Sequence, residues 1–416
     1  MKIRGEISLP GDKSISHRAA LFSAIRPAES VFENFSGNED CRSTLSCLRQ
    51  LGIEHKIVGS TLYLYGKKLS QWQQPGRPLY AGNSGTTTRL LAGLLVHLPF
   101  TSTITGDASL SQRPMGRIID PLTAMGGRIT ATEGHLPMTF HPTGSLRGIR
   151  YPLPVASAQI KSAVLLAGLF ADGFTEVIET KISRDHTERM LGLSVREEEG
   201  QRIVSVPGGY EVPDVSMTIP GDISSAAFFI AAALTLPDSD LTLKNVSLNP
   251  TRTAYLEILK KMGASLEIEE TQARPEPMGN IRVKSSDLQN VEIPAEMIPN
   301  LIDEVPILAV IGTRAVGHFA ISHARELRVK ESDRIKVMVE NLRRTGLHVD
   351  EFDDGFAFCG PHHPGKAAIS THGDHRIAMA FTIANMICGG NLEIDDPSCA
   401  AVSFPAFYTT LEKITR

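Results

Sequence analysis

The sequence predicts an α/β protein of two similar halves, each assembled from three small α/β modules. The first observation behind this is an internal echo. Pro10-Gly11-Asp12-Lys13-Ser14 recurs as Pro220-Gly221-Asp222-Ile223-Ser224, an offset of 210 in a chain of 416 residues, and each copy leads into a small apolar run (Ala19-Ala20-Leu21; Ala226-Ala227-Phe228). The second is that a polar loop followed by an Ala-, Leu- and Ile-rich run occurs six times, opening near Ser14, Ser84, Ser157, Ser224, Asp303 and Asp374. The spacings of 70, 73, 67, 79 and 71 residues are too long for helical-hairpin repeats, so each module should be a small fold in itself. The third is what lies between the apolar runs: surface helices and short strands.

Taken along the chain, strands are expected at Ser60–Tyr65, Arg202–Val206 and Leu241–Leu243, each β-rich or alternating and each closely followed by Gly, Pro or Asn. Ile335, Met338, Val339 and Leu342 recur at i, i+3, i+4 and i+7 with Arg343 and Arg344 in the last turn and Gly346 after it, an amphipathic helix on the surface. The apolar runs Ala163–Ala171 and Ala226–Leu234 are about nine residues, half the roughly 18 of a membrane span, and read as buried helices. Two domains of about 205 residues follow, with boundaries near residues 12 and 220.

Composition narrows the partner. The 42 Lys and Arg against 46 Asp and Glu give a formal charge of −4, so no global positive field exists to hold nucleic acid or an anionic bilayer. A small-molecule partner is expected, met by local charge, with no nucleic acid and no membrane. The start, MKIRGEISLPGDKS, has no apolar signal region. Cys41, Cys47, Cys359, Cys388 and Cys399 are odd in number and form no C-x-x-C pair, which suits reduced thiols in a cytoplasmic protein and neither disulfides nor zinc.

A Ser, Thr or Asp opening a helix caps its free N–H groups. Here polar and cationic residues accompany the caps: Lys13 and Arg18 flank Ser14, Arg89 follows Asn83–Thr88, Gln159 and Lys161 follow Ser157, and His375 and Arg376 follow Asp374. A cation there opposes the helix dipole and needs another reason, which an anion supplies. Two further loops add charge, Gln112–Arg117 and Leu327–Arg334. If Lys13, Arg18, Arg113, Lys330, Arg334 and Arg376 converge, they would repel strongly unless the ligands carry several negative charges. A nucleoside triphosphate is not indicated, because Asp12 stands where a P-loop needs Gly before Lys13-Ser14. Asp185-His186-Thr187-Glu188 lacks partners at ligand spacing, so no metal is expected.

The segments LPGDKSISHRAAL, GNSGTTTRLLAGLL, SLSQRPMGRIIDPL, SAQIKSAVLLAGL, SRDHTERML, PGDISSAAFF, LIDEVPILAV, LRVKESDRI, GDHRIAMAF and SFPAFY run in order from residue 9 to 408. Together they resemble the 5-enolpyruvylshikimate-3-phosphate synthase family (3-phosphoshikimate 1-carboxyvinyltransferases), over essentially the whole chain. The resemblance implies a two-domain inside-out α/β barrel with three βαβαββ units per domain: residues 13–219 as the first domain, 1–12 with 220–416 as the second, and the active site in the cleft between them. It implies transfer of the enolpyruvyl group of phosphoenolpyruvate to the 5-hydroxyl of 3-phosphoshikimate, on the way to chorismate and aromatic amino acids, without cofactor. A cytoplasmic monomer is expected.

By the same resemblance, Lys13, Ser14, Arg18, Ser157, Ala158 (through its backbone N–H), Gln159, Ser183, Asp303 and Lys330 hold 3-phosphoshikimate. Lys13, Gly85, Arg113, Gln159, Arg334 and Arg376 hold phosphoenolpyruvate, where the Arg fork suits carboxylate and phosphate. Asp303 and Glu331 are implied as the groups at the hydroxyl and at the methylene carbon, with Lys13 beside the reaction. A carboxylate next to a cation and a helix N-terminus should have a depressed pKa, and a Glu buried against an apolar methylene a raised one. Val402 stands where some members carry Lys, and Glu326 where some carry Asn; with S-A-Q and S-R-D-H-T-E these mark the less common sequence class, in which Arg184 could supply compensating charge. The sister enzyme acting on UDP-N-acetylglucosamine typically has a reactive Cys in the loop matching Thr105–Arg117, which has none here. A catalytically silent anion-binding relative would be expected to lack Asp303, Glu331 or Lys13.

Overall fold

A computed structural model describes residues 1–416, which divide into two compact units. The N-terminal unit is Gly11–Ile219; the C-terminal unit combines Met1–Pro10 with Pro220–Arg416. The chain therefore passes between units at Pro10-Gly11 and again at Ile219-Pro220, and the first falls two residues before the position expected from sequence.

Each unit is built on three buried helices. In the N-terminal unit these are α1 (Lys13–Ala24), α2 (Gly85–Leu95) and α3 (Ala158–Gly168); in the C-terminal unit, α4 (Ile223–Thr235), α5 (Val305–Gly312) and α6 (His375–Ile387). Their sequences are apolar all round rather than on one stripe, and that is the pattern of a helix surrounded by protein. Every residue of α5 is buried. Small residues set the spacing: a Cβ on Gly93 of α2 would lie 2.3 Å from the Ala163 carbonyl oxygen of α3, so these two backbones approach as closely as only Gly permits.

Six small sheets cover the helices, and none closes on itself. In the first, Met217–Thr218, Glu29–Glu33, Thr61–Tyr65 and Glu54–Val58 lie side by side in that order, so the last strand of the N-terminal unit completes its first module. The same plan, one parallel neighbour followed by an antiparallel hairpin, recurs in Leu79–Tyr80 with Ser102–Thr105 and in Arg150–Pro152 with Phe174–Glu179. It recurs again where Arg4–Ser8 pairs in parallel with Asp240–Ser247, which is how the first residues join the C-terminal unit. Thr61–Tyr65 alternates buried and part-exposed residues, as expected for a sheet with one face on the core.

The sixth module is abbreviated. Ala367–Ile369 and Leu392–Ile394 form a two-stranded parallel sheet, and the chain then ends in the helix Phe407–Ile414 instead of a hairpin. The helix fills the place with aromatic packing, Phe407 lying edge-on to Phe228 and Phe229 of α4 with ring centroids 6.0 and 5.7 Å away. Backbone bonds between Lys2 and Arg416 (3.0 and 2.9 Å) join the two chain ends.

Adding one methyl at Gly93 should overpack the contact between α2 and α3. Gly93→Ala is expected to lower the unfolding free energy by about 1–3 kcal/mol, read as a fall in the urea midpoint at unchanged slope. An unchanged midpoint would mean that the two helices separate freely.

Candidate active site

Several of the groups expected to handle anions sit at or near the N-terminal openings of the buried helices, and others lie in neighbouring loops. In the N-terminal unit α1 is capped by Asp12, whose carboxylate accepts from Ile15 N at 3.0 Å, rather than by Ser14. Likewise Asp222, not Ser224, caps α4. Ser84 caps α2 and Ser157 caps α3.

Lys13 Nζ is 3.0 Å from Asp40 Oδ2, a carboxylate of the neighbouring helix Glu39–Gln50 that offsets its opposition to the α1 dipole. Arg18 is 2 % exposed, and its fork is held rigidly: Nε donates to Thr187 Oγ1 (2.8 Å), Nη2 to Ser162 Oγ (2.7 Å) and Nη1 to the Ser14 carbonyl (3.0 Å). Arg89 Nη1 donates to Gln159 Oε1 (2.7 Å), and Gln159 Nε2 donates to Thr86 Oγ1 (2.9 Å), which ties the openings of α2 and α3 together. Arg113 Nη2 donates to Asn83 Oδ1 (2.6 Å), and Asn83 is itself held by Asp107 (2.7 Å). A Cβ on Gly85 would stand 2.8 Å from Arg89 Nη1 and 3.4 Å from Arg113 Nη1, so Gly leaves the space between those two guanidinium groups open. Behind them His17 Nδ1, Thr44, Thr87 and Ser84 form a buried chain with links of 2.7, 2.7 and 2.8 Å. Burial, helped by Lys13 and Arg18, keeps the His17 pKa well below 6.5, so the ring is neutral.

In the C-terminal unit the centre is Arg334, 1 % exposed, at the start of the helix Arg334–Arg344. Its guanidinium is held by Asp374 (2.8 Å), Glu331 (2.5 Å) and Asp303 (3.3 Å). Burial opposes the charge, yet these three carboxylates prevail and push the Arg334 pKa up. Burial works to raise the Asp374 carboxyl, but Arg334 holds it below the usual 3.8. Asp374 also caps α6 through Arg376 N (2.9 Å). Asp303 gathers Lys330 (3.7 Å) and Arg376 (3.7 Å) as well, and Arg376 Nη1 donates to its backbone carbonyl (3.1 Å). Arg328, bonded to Asp333, Glu351 and the Phe352 carbonyl, fixes the loop that presents Lys330 and Glu331.

Three expectations need correction. Lys161 is no ligand cation: it is fully buried and paired with Glu179 and Glu188 at 2.9 and 2.7 Å. Glu331 is not buried, since its side chain is about a fifth exposed, and it faces Arg334. The cations are not bare charges awaiting anions, because Lys13, Arg334 and Arg376 each have carboxylates of their own unit nearby. The Asp185–Glu188 segment is structural: Asp185 pairs with Arg189, Thr187 holds Arg18 and Glu188 holds Lys161. Sequence reasoning missed Asp40, Ser162 and Thr187 as partners of the expected site cations, and no local pattern marks them.

Compared with known proteins, this architecture is that of the enolpyruvyl transferases. The enolpyruvyl transferase NikO of Streptomyces tendae superposes with a TM-score of 0.76 over 99% of this chain and 95% of its own, and at 17% identity that likeness speaks to fold alone. An EPSP synthase of Acinetobacter baumannii superposes with a TM-score of 0.86 at 39% identity, covering 99% of this chain and 96% of that one. The family model for EPSP synthase (3-phosphoshikimate 1-carboxyvinyltransferase) matches residues 1–411, and the chain belongs to that family. Relatives named 3-phosphoshikimate 1-carboxyvinyltransferase include those of Salinibacter ruber, 49% identical over 99% of this chain and 97% of the relative, and Bacillus subtilis, 44% identical over 100% and 98%.

Asp374 has a depressed pKa in the folded chain, so its contribution to stability is complete above its unfolded value of 3.8 and is lost as pH falls through the lower folded value. Asp374→Asn leaves Arg334 undercompensated and should cost about 3–5 kcal/mol at neutral pH. The gap between the denaturant midpoints of the two proteins should narrow only below 3.8; a gap independent of pH throughout the acid range would contradict the pairing.

Proposed function

We propose that this chain transfers the enolpyruvyl group of phosphoenolpyruvate to the 5-hydroxyl of 3-phosphoshikimate, releasing phosphate. The observation that carries the assignment of roles is the cluster in which Arg334 is held among Asp303, Glu331 and Asp374 with Lys330 and Arg376 also on Asp303. Carboxylates held against a buried guanidinium, with further cations beside them, are groups suited to an anionic donor and a hydroxyl acceptor.

In this mechanism Lys13, Ser14, Arg18, Ser157, the Ala158 N–H, Gln159, Ser183, Asp303 and Lys330 bind 3-phosphoshikimate. Lys13, Gly85, Arg113, Gln159, Arg334 and Arg376 bind phosphoenolpyruvate. The donor's carboxylate and phosphate compete with Glu331 for Arg334. Once Glu331 loses that partner, its pKa rises and it takes a proton. Asp303, which faces Lys330, Arg334 and Arg376, removes the proton of the 5-hydroxyl while Glu331 protonates the methylene carbon, and the 5-oxygen bonds to C2 of the donor. The adduct then returns a methyl proton to Glu331, the C2–O bond to phosphate breaks, and the proton on Asp303 goes to the departing phosphate. No metal or organic cofactor takes part. A single chain acting on small molecules in the cytoplasm supplies all of these groups. The loop Thr105–Arg117, without Cys, and the presence of Lys13, Asp303 and Glu331 favour this over the UDP-N-acetylglucosamine enzyme and over a silent relative.

Phosphate release from phosphoenolpyruvate should require 3-phosphoshikimate; release independent of it would overturn the assignment. Replacing Glu331 by Gln should slow single-turnover formation of the tetrahedral adduct by about 10²–10⁴-fold, the usual worth of general acid–base catalysis, and weaken substrate binding far less. Adduct formation at the parent rate would remove Glu331 from the mechanism.

A further inference from the structure

Below the part of the N-terminal unit assigned to 3-phosphoshikimate lies a charge cluster that the mechanism does not use. Lys161, Glu179 and Glu188 are 0, 1 and 3 % exposed, and Arg202 closes the group. Lys161 Nζ lies 2.9 Å from Glu179 Oε2 and 2.7 Å from Glu188 Oε1; Arg202 Nη1 lies 3.4 and 3.2 Å from the same two oxygens. With Asp185, 3.8 Å from Arg202 and 2.7 Å from Arg189, three carboxylates meet three cations. The cluster needs no ligand to balance it, and for stability alone a well-packed apolar set would serve as well.

The ionic set differs from an apolar one in where it directs Glu179. The second oxygen of this residue, Oε1, accepts from Ser183 N (3.0 Å) and Ser183 Oγ (2.5 Å), and Lys161 Nζ also lies 3.5 Å from the Ser183 carbonyl. The intervening residues Thr180, Lys181 and Ile182 are all exposed, so nothing apolar anchors the loop. Ser183 is nevertheless buried, and its bonds to Glu179 are what hold it in. Lys161 belongs to α3, the helix that Ser157, Ala158 and Gln159 open, and Ser162 beside it fixes Arg18.

We infer that Glu179, clamped by Lys161 and Arg202, is the positioning residue that fixes Ser183 relative to the opening of α3 for binding of 3-phosphoshikimate, which rests on the function proposed above. Its carboxylate must offer an acceptor on both sides, to cations on one and to two Ser183 donors on the other. A glutamine has one carbonyl only, which the cations claim, and its NH2 then opposes the Ser183 N–H and ejects the loop.

Glu179→Gln should raise KM for 3-phosphoshikimate about ten-fold or more, the worth of hydrogen bonds to a charged group, and leave kcat and KM for phosphoenolpyruvate close to the parent values. Glu179→Asp, which keeps the charge and shortens the reach, should shift the same KM in the same direction. Combining Glu179→Gln with Ser183→Ala should add little beyond the larger single effect, because one acts through the other. An unchanged KM for 3-phosphoshikimate, equal shifts for both substrates, full additivity, or failure of both Glu179 variants to fold would each overturn the positioning role. The parent protein separates the two claims: if its phosphate release does not depend on 3-phosphoshikimate, the proposed function itself fails.

Discussion

Six helices buried on nearly every side impose the constraint on which the rest of this chain depends. A helix wrapped in apolar contacts satisfies its own backbone bonds along its length and leaves polar groups exposed only at its ends. In α5 all eight residues are buried, and in α4 every residue from Ile223 to Leu234 is. Much of the proposed polar chemistry therefore lies in or beside loops that open helices, with Arg18 on α1 and Lys161 on α3 as buried exceptions. Capping residues, the cations and both proposed catalytic carboxylates are found in or beside those loops. Anion binding is a consequence of the architecture, since free N–H groups and the positive end of the dipole already point there.

The cations placed at those ends would be destabilising by themselves, and the structure resolves this within each unit. Asp40 meets Lys13, and Asp303, Glu331 and Asp374 meet Arg334. On the proposed reading, a bound substrate exchanges partners with a resident carboxylate rather than neutralising a bare charge. Such an exchange favours ligands that can replace a carboxylate bidentately, such as phosphate and carboxylate groups, over weak or singly bonding anions. It also couples binding to chemistry, because the carboxylate displaced from Arg334 is the one given the proton-transfer role. The −4 of the whole chain is the sum of these local balances and conceals them.

The repeat and the buried helices were legible in the sequence because both rest on local pattern. The echo of Pro10–Ser14 at Pro220–Ser224 marks the halves, and Ser84, Ser157 and Asp374 cap the helices their sequence suggested. At α1 and α4 the cap is the Asp one position before the helix, since its carboxylate reaches N–H groups two or three residues on; the serines expected there lie inside the helices. Lys161 was misread because its position near a helix opening looks like that of Lys13, and its partners Glu179 and Glu188 are 18 and 27 residues away. Thr187, which orients Arg18 from 169 residues away, left no trace in any window of sequence. The shortened sixth module is not legible from the repeat, because helix openings mark the modules and say nothing of the strands that follow the last one.

The central claim is that carbon, not phosphorus, is transferred, so the bond broken in the donor is C2–O. Phosphoenolpyruvate labelled with heavy oxygen at the bridging position tests this directly when turned over with 3-phosphoshikimate and the products are weighed. All of the label should leave with inorganic phosphate, and the organic product should carry a three-carbon enol ether on the 5-oxygen. Label retained in pyruvate or in an organic product would mean P–O cleavage and would contradict the account.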